Sequence, residues 1–112
     1  MTAAKKNLVV LISGSGSNLQ AFIDACATGE LNADISCVIS NKADAFGLQR
    51  AADAGITTAV VNHKDYASRE AFDAVLAETI ENHKPDLVIL AGFMRILTAD
   101  FVNTFIGKLV NI

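Results

Sequence analysis

The hydrophobic pattern changes its period within residues 7–25, with no proline or spacer between the two parts. Residues 8–12 form an unbroken apolar run rich in β-branched side chains, which is typical of a strand buried on both faces of a parallel sheet. The next apolar residues recur at helical spacing, at Leu19, Phe22, Ile23 and Cys26. Ser17 or Asn18 is expected to cap this helix with its side-chain oxygen. The pattern therefore predicts a strand that turns directly into a helix.

The same alternation recurs along the rest of the chain. It predicts further strands over residues 33–40, 57–61, 86–91 and 108–112, and further helices over residues 43–54, 68–83 and 99–106. Ser68 and Thr98 are the expected caps of the last two helices, and the apolar residues of the 43–54 helix are Phe46, Leu48 and Ala51. Alternation at this spacing predicts an α/β fold: a Rossmann-like, doubly wound parallel sheet of about five strands with right-handed crossovers.

Ligands of such sheets bind beyond the carboxyl ends of the strands. The segments expected at this edge are residues 13–18, 40–42, 62–63 and 92–97, together with whatever follows Asn111. Residues 13–17 read Ser-Gly-Ser-Gly-Ser, where glycine permits positive φ and the following helix directs free N–H groups outward. This corner favours an anion, most often a phosphate. A tight turn without a ligand is the alternative, and Leu19 in place of a third glycine, with no P-loop lysine, disfavours a dinucleotide or ATP.

Other polar positions at this edge are less specific. Asn41 and Lys42 follow the second strand where a nicotinamide-binding protein carries an acid, which disfavours that cofactor, and an ordinary polar turn is the alternative. His63 and His83 are interpreted as surface or helix-end residues rather than catalytic ones. Residues 94–97 read Met-Arg-Ile-Leu after a buried strand. This sequence suits a flat heteroaromatic ligand, unless the loop folds back on the core.

Composition narrows the class of protein. With 112 residues, 52% of them hydrophobic, the chain is long and apolar enough to be one domain with a core. The net charge of −3 and the scattered basic residues argue against nucleic acid as a partner. No apolar run approaches the ~18 residues of a membrane span, and residues 1–6 do not resemble a signal peptide, so a cytoplasmic location is expected. Cys26 and Cys37 lack metal-ligand spacing, so reduced thiols and no metal are expected.

Four motifs follow one another along the chain. They are Leu-Ile-Ser-Gly-Ser-Gly-Ser-Asn-Leu-Gln at 11–20, Ser-Asn-Lys-Ala-Asp-Ala at 40–45, Ala-Gly-Phe-Met-Arg-Ile-Leu at 91–97 and Leu-Val-Asn-Ile at 109–112. Together they closely resemble the phosphoribosylglycinamide formyltransferase family, over essentially the whole chain. The resemblance implies transfer of a formyl group from 10-formyltetrahydrofolate, as cosubstrate, to the amine of phosphoribosylglycinamide, a step of purine synthesis.

The resemblance also implies roles for individual residues. The substrate phosphate would bind the backbone amides of Gly16, Ser17 and Asn18. The folate would be contacted by Arg69, Met94, Arg95, Ile96, Leu97 and Asn111. Asn111 also matches the catalytic asparagine of the family. The implied partners are therefore two small molecules, the phosphoribosyl substrate and the formyl-folate.

The family pattern extends beyond the last residue of this sequence. It continues from Asn-Ile into a His-Pro-Ser segment, whose histidine is the catalytic acid and base, and later into an aspartate that tunes it. This sequence ends at Ile112, so residues 1–112 are expected to be the substrate-phosphate-binding half of the domain without the catalytic half. Because Asn111 supplies only an oxyanion donor, the chain alone is expected to be inactive. The apolar fifth strand leaves self-association open.

Two other functions stay open. A formyltetrahydrofolate hydrolase shares the fold and the folate side, but it needs no phosphate loop at residues 16–18. A phosphate- or nucleotide-binding module without catalysis is consistent with all 112 residues.

Overall fold

A computed structural model describes residues 5–112. Residues 1–4 lie outside the described part of the chain. Five parallel strands form one sheet in the order β3-β2-β1-β4-β5. The strands are β1 (Lys6–Ile12), β2 (Ala33–Ser40), β3 (Thr58–Val60), β4 (Leu87–Leu90) and β5 (Leu109–Asn111). The helices are α1 (Ser17–Thr28), α2 (Phe46–Asp53), α3 (Arg69–Glu81) and α4 (Ala99–Thr104), with a short 3₁₀ helix at His63–Asp65. The predicted doubly wound parallel sheet is confirmed.

Helices cover both faces of the sheet, and β1 is its central strand. On one face Val10 and Ile12 pack with Leu19 of α1 and Ala51 of α2. On the other face alternate residues of β1 pack with α3 and α4, in a cluster that contains Val9, Leu11, Phe72, Leu76 and Phe101. Because β1 is buried on both sides, it needs the continuous apolar run that its sequence shows rather than an alternating one.

Two of the three expected helix caps are confirmed. Ser68 Oγ accepts a hydrogen bond from the backbone N–H of Ala71 at 3.1 Å, and Thr98 Oγ1 accepts one from Phe101 at 3.2 Å. The expectation for α1 was wrong, because its N-cap is Gly16 and no side chain caps it; Ser17 is already the first helical residue. Gly16 has φ of 76°, a left-handed conformation that lets the chain turn into α1 without a side-chain cap.

The bounds predicted for α2 were wrong at its start, because the helix begins at Phe46 rather than at residue 43. Phe46 itself is 57% exposed. Gly47 and Ala51 face inward instead, and the guanidinium of Arg50 lies 5.0 Å from the centre of the Phe46 ring. Small residues on the inner face allow α2 to approach the sheet and the loop after β1 closely, which leaves no room for a phenylalanine ring on that face.

The remaining helix bounds differ from the prediction by a few residues. The third helix is slightly shorter than predicted at both ends, and α4 ends at Thr104 rather than at residue 106. Within the part of the chain that the structure describes, no helix is both long and apolar enough to cross a membrane.

Candidate functional site

The segments predicted at the carboxyl edge of the sheet do meet there. Ser13, which follows β1, bonds to Asn41 after β2 and to the backbone of Met94 after β4. The amide of Asn41 in turn contacts His63, which follows β3. At the other side of the sheet, the backbone N–H of Ile112 bonds to the carbonyl of Leu90 at 3.1 Å. Hydrogen bonds therefore link the loops after β1, β2, β3 and β4, and the end of β5 lies at the same edge.

The loop after β1 presents backbone N–H groups at the start of α1. Gly16 is buried, its carbonyl accepts the first helical bond from Gln20 at 2.8 Å, and Ser17 and Asn18 are exposed in the first turn. The first N–H groups of a helix have no partner inside it, and the helix dipole places partial positive charge there. With no side-chain cap on α1, these donors stay available to an anion.

Helix α2 fixes the orientation of two peptide groups in this loop. The Gly47 N–H donates to the Gly14 carbonyl at 3.0 Å, and Arg50 Nε donates to the Ser15 carbonyl at 2.7 Å. In a planar trans peptide the N–H points opposite to the C=O. The N–H groups of Ser15 and Gly16 therefore point away from α2, and they donate to no acceptor within residues 5–112. Two successive free N–H groups of this kind form an anion-binding concavity.

A chain of side-chain hydrogen bonds crosses the edge from β4 to β3. The Met94 N–H donates to Ser13 Oγ at 2.8 Å, and the Ser13 hydroxyl donates to Asn41 Oδ1 at 2.6 Å. Asn41 Nδ2 lies 3.3 Å from Nδ1 of His63. An amide nitrogen only donates, so this contact is a hydrogen bond in the His63 tautomer whose Nδ1 carries no proton. Asn41 is thus a buried structural link. His63 is half-buried at the first position of the short 3₁₀ helix, which agrees with its interpretation as a helix-end residue, although its ring also joins this network.

Asn41 and His63 also line a cavity at the carboxyl ends of β2 and β3. The cavity has a volume of about 500 Å³ and is bordered by the side chains of Lys42 and Lys64 as well. It lies at the β3 side of the sheet, away from the segment after β4. The network through Ser13 therefore connects two separate regions of the same edge.

The segment after β4 folds back on the core in part and leaves two apolar side chains exposed. Phe93 and Leu97 pack against the hydrophobic core, whereas Met94 and Ile96 are 78% and 73% exposed. Burial of such a side chain contributes about 1.5–3 kcal/mol to the free energy of folding, and these two side chains do not make that contribution. The guanidinium of Arg95 lies 5.4 Å from the centre of the Phe72 ring in α3. An exposed apolar pair beside an arginine is a surface suited to a flat apolar ligand with polar edges.

Arg69 and Asn111 lie at the same edge of the sheet. Arg69 is exposed at the first position of α3, one turn before the Phe72 ring that Arg95 covers. Asn111 is exposed on β5, in register with Leu90 of β4, which pairs in turn with Leu11 of β1. Two strand spacings separate β5 from β1, so Asn111 lies about 10 Å from β1 across the sheet.

Several residues that shape this site carry only a weak sequence signal. Gly47 and Arg50 contact the loop only because α2 folds beside it, although a glycine and an arginine three positions apart share one helix face. Asp73 is the clearest case. It is buried at 4% exposure, and its Oδ2 accepts the backbone N–H of Thr98 at 2.7 Å. A carboxylate on the apolar face of a predicted helix was the signal that could have identified it.

Comparison with known proteins places these features in a family. The formyl transferase family matches residues 6–112. The chain is 55% identical over 95% of its length to the phosphoribosylglycinamide formyltransferase of Escherichia coli, of which it covers 50%. It is also 50% identical over 96% of its length to the human trifunctional purine biosynthetic protein adenosine-3, of which it covers 11%.

Solved structures agree with the sequence relatives. Glycinamide ribonucleotide transformylase 1 from Symbiobacterium toebii superposes with a TM-score of 0.93 at 42% identity, over 98% of this chain and 52% of that one. The phosphoribosylglycinamide formyltransferase of Coxiella burnetii gives a TM-score of 0.91 at 45% identity, over 96% of this chain and 50% of that one. The chain thus spans about half the length of its single-function relatives. Over that half, from the first strand to its last residue, it belongs to the formyl transferase family.

Proposed function

We propose that this chain is the substrate-binding half of a phosphoribosylglycinamide formyltransferase, which transfers a formyl group from 10-formyltetrahydrofolate to a primary amine. One observation carries the proposal. One edge of the sheet carries three features: a loop suited to phosphate, an exposed apolar segment beside an arginine, and the side chain of Asn111. The phosphate loop follows β1 and Asn111 lies on β5, and about 10 Å separates these two strands. A substrate with a phosphate at one end and an amine at the other can bridge that distance.

The phosphate of the substrate binds the loop after β1. Gly16, Ser17 and Asn18 supply backbone N–H groups at the uncapped start of α1. Ser15 adds a further N–H donor, which α2 orients through the bond from the Gly47 N–H to the Gly14 carbonyl. A phosphate cradle favours a phosphoribosyl acceptor over water, which is the acceptor in a formyl-folate hydrolase. It therefore supports transferase over hydrolase chemistry.

The folate binds the segment after β4. The exposed Met94 and Ile96 offer apolar contact, and Leu97 adds the part of its side chain that the core does not cover. Arg95 and Arg69 offer positive charge to the polar and carboxylate groups of the folate. Asn111 lies on the neighbouring strand, so its amide can reach the formyl group as well as the folate ring. The formyl carbon is thereby held between the folate segment and the phosphate loop.

In the proposed reaction the substrate amine attacks the formyl carbon. The carbonyl oxygen becomes an oxyanion, and Asn111 Nδ2 donates a hydrogen bond to it. The amine loses a proton to a base, the bond from carbon to the folate nitrogen breaks, and that nitrogen regains a proton. Neither histidine suits the role of base: His63 bonds to Asn41 beyond β2, and His83 lies at the amino ends of the strands, where its carbonyl bonds to Asn7. We infer that the base comes from the part of the relatives that this chain does not cover.

Calorimetry with the 112-residue chain tests the binding half of the proposal. The chain is expected to bind phosphoribosylglycinamide, and Gly16→Val is expected to abolish that binding, because a Cβ at Gly16 would lie 2.7 Å from the Cα of Gly47. Gly29→Val is the matched control. Gly29 ends the same helix with φ of 80°, but a Cβ there meets nothing within 4 Å. Unchanged affinity in Gly16→Val would refute the phosphate assignment.

A further inference from the structure

The segment after β4 is held by two buried side chains from different elements. Ser13 Oγ, after β1, accepts the N–H of Met94 at 2.8 Å, and Asp73 Oδ2, in α3, accepts the N–H of Thr98 at 2.7 Å. Ser13 and Asp73 are 3% and 4% exposed. These two bonds bracket the residues between them, including the exposed side chain of Ile96. The backbone of the segment is therefore fixed near both of its ends.

The side chains of the segment alternate between the core and water. Phe93 and Leu97 pack inward, Met94 and Ile96 are exposed, and Arg95 lies over the ring of Phe72, the residue before Asp73. Apolar side chains gain free energy when they leave water, so an unrestrained segment would turn Met94 and Ile96 onto the core. The backbone bonds from Ser13 and Asp73 oppose that collapse.

Both acceptors are themselves unusual. The Ser13 hydroxyl donates to the buried Asn41, so its oxygen is oriented to accept from Met94. Asp73 has one oxygen on Thr98, whereas its Oδ1 has no hydrogen-bond partner within residues 5–112. The bond from Asp73 joins α3 to the residue that caps α4, 25 positions away in the chain.

We propose that Ser13 and Asp73 are positioning residues that hold Met94 and Ile96 outward as a preformed binding face for the planar ring of a reduced folate. Ser13 and Asp73 do not touch the ligand in this arrangement; they act through the backbone of the segment. The identity of the ligand rests on the proposed function. The preformed geometry does not, and it can be measured without any ligand.

The two methionines of the chain, Met1 and Met94, make the measurement simple. Methionine labelled with ¹³C at its methyl group gives two NMR signals, and Met94→Leu identifies the relevant one. A soluble paramagnetic agent then reports the exposure of the Met94 methyl in the ligand-free chain. Titration with folic acid, followed at the same signal, reports the affinity of the face.

Four variants separate positioning from general destabilisation. Ser13→Ala and Asp73→Ala remove one acceptor each, whereas Asp73→Asn keeps an oxygen for Thr98. Ser40→Ala is the matched control, because Ser40 is equally buried at the same edge but its hydroxyl bonds only to the backbone of Lys42. If Asp73→Ala does not fold, Ser13→Ala and Asp73→Asn still carry the comparison.

In Ser13→Ala and Asp73→Ala we expect lower exposure of the Met94 methyl and about tenfold weaker folate affinity, the ratio that one lost hydrogen bond gives. Asp73→Asn and Ser40→Ala should behave as the unmodified chain. Equal methyl exposure in Ser13→Ala, Asp73→Ala and the unmodified chain would overturn the positioning role. A folate titration that never shifts the Met94 signal, with methyl exposure changing as expected, would overturn the folate assignment and leave the positioning role supported.

Discussion

Gly47 of α2 packs directly against Gly16 of the loop after β1, backbone to backbone. A Cβ added to Gly16 would lie 2.7 Å from the Gly47 Cα, and one added to Gly47 would lie 3.2 Å from the Gly16 Cα. This approach brings the N–H of Gly47 within 3.0 Å of the Gly14 carbonyl. The position of α2 therefore controls the shape of the loop that we propose for phosphate binding.

Gly47→Ala should destabilise the fold. The added methyl would lie 2.5 Å from Cδ1 of the fully buried Ile12 and 3.2 Å from the Cα of Gly16, so either the Ile12 side chain or α2 must shift. Overpacking of this kind costs about 1–3 kcal/mol in the free energy of unfolding, which urea denaturation measures. Gly14→Ala serves as control, because a Cβ at Gly14 meets nothing within 4 Å. Equal urea midpoints for Gly47→Ala and Gly14→Ala would show that the structure accommodates the added methyl without loss of stability.

The fold was predictable because its signals are local. Continuous apolar runs marked the buried parallel strands, and Ser68 and Thr98 marked two helix starts through side-chain bonds to residues three positions on. The prediction failed at α1 and α2, where tertiary contact decided the outcome. Gly16 replaced a side-chain cap at the start of α1, and α2 begins only at Phe46, which is exposed because Gly47 faces the loop.

The site was predictable only in part, for the same physical reason. The topology of a parallel sheet places every loop after a strand at one edge, so the segments could be assigned from the order of elements alone. The bonds from Ser13 to Asn41 and from Asp73 to Thr98 span 28 and 25 residues. Periodicity carries no information about such pairs, and a buried aspartate on a helix is visible only as an exception to the apolar pattern.

Arg50 should contribute to anion binding through its hydrogen bond rather than its charge. Its Nε donates to the carbonyl of Ser15, which directs the N–H of Gly16 away from α2 and toward the proposed anion site. We expect Arg50→Met and Arg50→Lys to weaken inorganic phosphate binding alike, by ~3–10-fold, in titrations followed at the amide NMR signals of Ser15 and Gly16. Gln49→Met is the control on the same helix. Full affinity in Arg50→Lys would show that positive charge alone matters.

Cys37 should make the fold sensitive to alkaline pH. The thiol is fully buried, and burial raises the pKa of Cys37 from its ordinary 9.0 to about 11. The unfolded chain therefore loses this proton first as the pH rises, so stability is complete below pH 9 and falls between pH 9 and 11. The loss should reach about 2–3 kcal/mol relative to Cys37→Val, in which other groups titrate unchanged. If the free energies of unfolding of the unmodified chain and of Cys37→Val fell in parallel above pH 9, the raised pKa of Cys37 would be contradicted.

The outer edge of β5 should promote association of the 112-residue chain. Leu109–Asn111 pairs with β4 on one side and with no described strand on the other, and Ile106 and Ile112 nearby are 76% and 49% exposed. Sedimentation should show concentration-dependent association that Val110→Lys reduces, because charge on an edge strand opposes pairing. Val60→Lys on β3, at the opposite edge, is the control. A clean monomer at high concentration would count against this interface.

The last prediction concerns the chemistry itself. Alone, the chain should show no formyl transfer, because Asn111 can donate to the oxyanion but no described residue near it can take the proton from the amine. A missing general base typically costs about 10²–10⁴ in rate. Mixing the chain with a polypeptide that matches the second half of the Escherichia coli relative should restore turnover, which Asn111→Ala then lowers about 10²–10³-fold. Asn103→Ala, an exposed asparagine on α4, should leave the restored rate unchanged. Turnover by the chain alone that survives Asn111→Ala would refute both the role of Asn111 and the need for a second half.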